Sequence, residues 1–168
     1  VSKTYLPVSE THSVESSISP DGKRYITSTN YPPETYIIWD VSTGAEILTL
    51  GHSELKNNNI IHIRPNSYKL ADFNLRETVI VSLSGRAIKV WDIETGSCIH
   101  AFSAERGILN RHIRQLVCSP DGEYVALCTY SGRITIWNAA TGNEVVNFEG
   151  DIKNLAFSPD GERILING

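Results

Sequence analysis

The chain has 168 residues, 40% of them hydrophobic, with 15 Lys and Arg against 19 Asp and Glu for a formal net charge of −4. That supports one compact domain, and the scattered basic residues on an acidic background carry no electrostatic footprint for nucleic acid. No apolar run approaches the ~18 residues needed to cross a bilayer, and no secretory signal opens the chain.

In chain order, Val1 to Glu10 holds one strand, Thr4–Val8, whose Pro7 suits an edge or strand end. Four short β-branched or aromatic runs follow: Val14–Ile18, Arg24–Thr29, Thr35–Asp40 and Glu46–Leu50. Gly, Pro, Asn and Asp punctuate them, which predicts antiparallel hairpins. Residues 30–34, with Pro32 and Pro33, predict a stiff protruding loop. Gly51-His52 then leads into a polar insertion from Ser53 to Pro65. The next inner strand is expected at Tyr68–Phe73, with Ile60–Ile63 as a competing candidate and residues 74–77 as a degenerate turn. Thr78–Leu83, Ala87–Asp92 and Ser97–Phe102 complete that unit. A loop, Ser103–Asn110, precedes the most regular unit: Ile113–Cys118, Tyr124–Thr129, Arg133–Asn138 and Glu144–Phe148. Ile152–Phe157 and Arg163–Ile166 read as two further strands.

The punctuation repeats in register. Ser-Pro-Asp-Gly begins at Ser19, Ser119 and Ser158. Trp39-Asp40, Trp91-Asp92 and Trp137-Asn138 are each followed at one offset by Thr-Gly, at Thr43, Thr95 and Thr141. His12 and His112 both stand seven residues ahead of their Ser-Pro-Asp-Gly. Units of about 40–45 residues with four strands and a closing Trp-Asp resemble the WD-repeat β-propeller family. The resemblance covers nearly the whole chain.

It implies an all-β propeller of four-stranded antiparallel blades. Residues 1–10 become the outer strand of a preceding blade, 11–50 a blade, 51–103 a blade with a polar insertion, 104–149 a blade, and 150–168 the first two strands of another. That strand count falls short of a closed ring, which takes ~4–8 blades, so a segment of a longer propeller is expected, with further blades from the same chain. In this family a His, a Ser or Thr on the second strand, the Trp and a turn Asp form a buried hydrogen-bond chain within a blade. The resemblance assigns His112, Thr129 and Trp137 to such a chain, then His12, Trp39 and either Ser28 or Thr29, then Ser82 and Trp91 with His52 or His62. The turn Asp is replaced throughout, with Asn30, Ser84 and Ser131 nearest its place. Blades held mainly by packing are the expectation.

No phosphate loop, Cys-x-x-Cys, His-Glu-x-x-His or nucleophile elbow occurs, so no catalytic, cofactor or metal residue is assigned. The three cysteines lack metal spacing; Cys118 and Cys128 fit small buried hydrophobes. Function is therefore expected on loops and rims. The rim formed by the strand-two-to-three and strand-four-to-one connections carries Tyr31, Arg86, Arg106, Arg111, Arg114 and Tyr130, residue types enriched at binding hot spots. The cysteine usage and the lack of an Asn-x-Ser/Thr acceptor point to an intracellular compartment, cytoplasmic or nuclear, and the resemblance implies a module that binds a protein or peptide within a scaffold, adaptor or sensor. Two alternatives remain: a scaffold completed by a partner chain, and a sensor segment of a switch ATPase or ubiquitin-ligase subunit.

Overall fold

The computed structural model describes residues 13–29, 35–51, 71–76, 78–84, 87–103 and 113–168. The expected strand Thr4–Val8, residues 60–63 and the insertion lie outside them. The described residues form three four-stranded antiparallel sheets and one two-stranded sheet. The first sheet is β1 (Ser13–Ile18), β2 (Arg24–Thr29), β3 (Thr35–Asp40) and β4 (Glu46–Gly51). The second is β5 (Ala71–Phe73), β6 (Val79–Ser84), β7 (Ala87–Asp92) and β8 (Cys98–Ser103). The third is β9 (Ile113–Cys118), β10 (Tyr124–Thr129), β11 (Arg133–Asn138) and β12 (Glu144–Glu149). β13 (Asn154–Phe157) and β14 (Ile164–Asn167) form the last. β13 starts two residues later than expected, because Ile152 is already turned under the third sheet, in one cluster with Val117 and Cys128.

The first strand of each sheet contacts the first strand of the next, β1 to β5, β5 to β9 and β9 to β13. The sheets therefore stack face to face around a common line of inner strands, like blades. Each junction is a separate apolar core. Ile26, Ile38 and Leu50 of the first sheet meet Phe73, Ile80 and Trp91 of the second. Val81, Leu83 and Ile88 then meet Leu116, Val125 and Leu127 of the third. Middle strands such as β10 are covered on both faces, which explains their nearly continuous apolar runs. Among the described residues two polar bonds cross the first junction: the buried Tyr36 hydroxyl donates to Leu83 O, and Lys89 Nζ donates to Gly51 O at 3.3 Å. The contacts at the outer edges are close. A Cβ added to Gly96 would sit 2.5 Å from Leu48 Cδ1, and one on Gly142 would sit 2.8 Å from Phe102 Cβ.

The repeated motifs are turn chemistry. In Ser-Pro-Asp-Gly the Ser19 hydroxyl donates to Asp21 Oδ1 at 2.7 Å and accepts Arg24 N–H at 2.9 Å. Ser119 does the same with Asp121 and Tyr124 N–H, at 2.6 and 2.8 Å. The second sheet has no such tetrapeptide, and one residue replaces it. Asn74, fully buried, accepts Thr78 N–H and Val79 N–H on Oδ1 at 2.9 and 3.0 Å. Its Nδ2 donates to Thr78 Oγ1 at 3.0 Å and across the junction to Pro120 O at 3.3 Å.

The residue after each Trp caps the following turn. Asp40 Oδ1 accepts Ser42 N–H, Thr43 N–H and the Thr43 hydroxyl at 2.9, 2.7 and 2.9 Å. Asn138 offers the same oxygen to Ala140 N–H, Thr141 N–H and the Thr141 hydroxyl at 3.1, 3.0 and 3.1 Å. The charged acceptor draws its donors slightly closer than the neutral one. Hydrogen bonds, led by the Ser42 and Thr43 contacts, push the Asp40 carboxyl down to about 2. A lowered folded value gives stability that is present above the unfolded value, about 3.9, and lost as pH falls through about 2. Thermal melts should therefore show Asp40→Asn losing less midpoint than the wild type between those values; parallel acid limbs would contradict this account of the cap.

Candidate interaction rim

The end of the sheets opposite the Ser-Pro-Asp-Gly turns carries the expected binding rim. Of its six candidates, Tyr31, Arg86, Arg106 and Arg111 lie outside the described residues. Arg114 and Tyr130 are brought together. Arg114 is the second residue of β9 and Tyr130 follows the last residue of β10, and antiparallel pairing puts both at one end. The Arg114 Cζ lies 4.8 Å from the Tyr130 ring centroid, a cation–π contact. Arg114 Nη1 also donates to Ile152 O at 3.4 Å, tying the pair to the fourth sheet.

A fixed hairpin presents the tyrosine. The Thr129 Oγ1 accepts Arg133 N–H at 3.1 Å and shares a 2.9 Å hydrogen bond with Ser131 Oγ. Gly132 N–H donates to Thr129 O at 3.0 Å, closing the turn. Tyr130 projects from it and is 44% exposed, while Arg114 is half-buried. A rigid aromatic against a guanidinium offers an apolar face and charged donors at little entropic cost.

The blade-internal hydrogen bonds depart from expectation in two of three sheets. Trp91 Nε1 donates to Ser82 Oγ at 2.7 Å. Trp39 Nε1 donates to Thr27 Oγ1 at 2.9 Å, so Thr27 takes the place expected of Ser28 or Thr29. Strand alternation explains this: Trp39 lies opposite Tyr25, so Thr27 shares its face and Ser28 points the other way. In the third sheet Trp137 lies opposite Val125, and the position matching Thr27 and Ser82 is Leu127. Thr129 stands two residues further on and spends its hydroxyl on the hairpin. Trp137 instead packs against Phe102 of the second sheet, with ring centroids 6.0 Å apart. His12 and His112, and the alternatives His52 and His62, lie outside the described residues.

Cys118 and Cys128 are buried, and burial raises the Cys128 thiol. Among the described residues no cluster of His, Cys, Asp and Glu could hold a metal ion, and no helix is long and apolar enough to cross a membrane.

Stacked four-stranded blades with Trp-Asp-capped turns are the structure of a β-propeller of WD-repeat type. Residues 96–138 match the family described as WD domain, G-beta repeat. It is similar to the U3 small nucleolar RNA-associated protein 21 homolog of Schizosaccharomyces pombe, 25% identical over 135 residues, 79% of this chain. It is also similar to WD repeat-containing protein 82 of Drosophila melanogaster, 32% identical over 88 residues, 49% of this chain. The matched segments span 12% and 27% of those two proteins.

Proposed function

We propose that these blades are a non-catalytic protein-interaction module of a larger intracellular scaffold, adaptor or sensor protein. Its binding rim is the end that carries Arg114 and Tyr130. The observation behind this reading is the exposed ring of Tyr130, stacked on Arg114 and held by the Thr129–Ser131 hairpin. A WD-repeat fold is a protein-binding platform, and its partners are set by loop residues of this kind.

The test is a quantitative pull-down with the full chain and its Tyr130→Ala, Arg114→Ala and Arg114→Lys variants, with Ile99→Ala on an outer strand as control. Loss of a partner by roughly thirtyfold is expected for Tyr130→Ala. Arg114→Lys should recover only part of the loss, because an ammonium lacks the planar stack. Retention of every partner by both alanine variants would remove this rim as the site.

The exposed outer edge of the fourth sheet favours a second reading, a scaffold completed by another strand. Leu165 of β14 is 72% exposed, and Ile166 beside it is also open. A partner lost with Leu165→Glu and kept with Tyr130→Ala would support that reading over the rim.

A further inference from the structure

The opposite end of the blades holds a cavity of about 300 Å³ to which all four sheets contribute. Its size falls at the lower end of the range for binding pockets. Four residues form its collar: Pro20, Leu75, Pro120 and Pro159. They occupy the same place in four successive turns, each following the residue that caps its turn: Ser19, Asn74, Ser119 and Ser158. Leu75 is 53% exposed there, in a position where nothing about the turn requires an apolar side chain. Beneath the collar the wall is apolar, with Phe73, Val117 and Phe157, and carries two polar groups, Asp72 and Gln115. Both are held in place. Asp72 Oδ2 accepts Cys118 N–H at 3.3 Å, and Gln115 Oε1 accepts Leu155 N–H at 3.3 Å.

Charge surrounds this mouth. Hairpin geometry gathers the first-to-second and third-to-fourth strand turns at this one end. Asp21, Asp121 and Asp160 sit beside the collar prolines, and Asp40 and Asp92 cap the outer turns. Glu94, Glu123 and Glu162 are matched in number by Lys23, Arg76 and Arg163 in the same turns, so the five aspartates set the negative excess. The surface repels phosphate-bearing partners and draws cations.

We propose that this mouth is a second docking site, on the face away from Tyr130, for an extended segment of a partner protein that presents an arginine flanked by apolar residues. The flanking side chains lie on the proline and leucine collar. The guanidinium enters between Asp72 and Gln115, where a carboxylate and an amide oxygen line the wall and match its fork of donors. Lysine would bring the charge without the fork and bind more weakly.

Fluorescence anisotropy with the full chain tests this, using labelled peptides of sequence Ala-Leu-Pro-Xaa-Leu-Pro-Ala with arginine, lysine or glutamate at Xaa. The arginine peptide is expected to bind, more weakly as salt rises, and about tenfold or more tighter than the glutamate peptide. Ala156 of β13 is exposed on the cavity wall, so Ala156→Arg places a competing guanidinium there and should weaken binding about tenfold. Leu75→Lys does the same from the collar without touching a junction core, and decides the matter should Ala156→Arg lose the fold. Ile99→Ala should leave binding unchanged. Equal affinity for the arginine and glutamate peptides, no binding at about millimolar concentration, or wild-type affinity in every folded pocket variant would overturn the proposal. None of these outcomes bears on the rim of Arg114 and Tyr130.

Discussion

Asn74→Ala is expected to destabilise the chain by about 3 kcal/mol. The side chain is fully buried and makes four hydrogen bonds. Truncation leaves Thr78 N–H and Val79 N–H without their acceptor where water cannot easily replace it, and each such group costs about 1–3 kcal/mol. It also removes one of two donors that reach Pro120 O from the second sheet, the other being Arg76 N–H at 3.3 Å. The loss therefore falls on a junction as well as on a turn. Ser19→Ala makes the comparison, since that hydroxyl serves only its own hairpin, and should cost about 1 kcal/mol. Urea unfolding of both variants decides this. Equal losses would mean that Asn74 is one turn cap among others and that its reach to Pro120 O contributes nothing.

Gly132→Ala should be the most damaging single methyl in the described residues, at about 4 kcal/mol or failure to fold. Gly132 has φ +78, and a Cβ there would lie 1.8 Å from Gly150 O. That oxygen is backbone, so no side-chain rotation relieves the clash. Retreat would pull apart the Gly150 N–H to Gly132 O bond at 3.0 Å, which joins the hairpin to the connection after β12. Gly22 separates the two penalties. Its φ is +72 and nothing lies within 4 Å of its added Cβ, so Gly22→Ala carries only the left-handed backbone cost, about 1–2 kcal/mol. Calorimetric midpoints should differ accordingly, and similar midpoints would mean that Gly150 gives way easily. Gly132 is two residues from Tyr130, so a folded Gly132→Ala should also weaken whatever the rim binds.

Much of this was legible because turns and strands are local. Ser-Pro-Asp-Gly marks hairpins by side-chain capping, and the Trp-Asp to Thr-Gly offset marks another, so all the described strands but β5 fall where the punctuation puts them to within a residue or two. Arg114 and Tyr130 were legible as neighbours for the same reason, once β9 and β10 were paired. What escaped depended on parity and on junctions. Counting along the strand points to Ser28 or Thr29, whereas the pairing of Trp39 with Tyr25 puts Thr27 within reach on the indole's face. Leu127 escaped because its sheet is otherwise the most regular in sequence, and Thr129 is the hydroxyl its second strand offers to Trp137. Asn74 read as a degenerate turn because its second function, the bond to Pro120 O, lies 46 residues away. The proline-collared cavity is likewise made by four units at once, and no single repeat contains it.

The near-contacts of Gly96 with Leu48 and of Gly142 with Phe102 have a geometric meaning. They fix how far apart successive sheets stand at their outer edge, while β1, β5, β9 and β13 fix the separation at the axis. The difference between those spacings is the wedge angle per blade, and curvature in repeat arrays accumulates from such small rotations. A bulkier residue at either glycine would widen the wedge, and a smaller one at Leu48 or Phe102 would narrow it. The angular pitch of the array, and with it the number of blades that complete a circle, is thus written partly in two turn glycines and the side chains they touch.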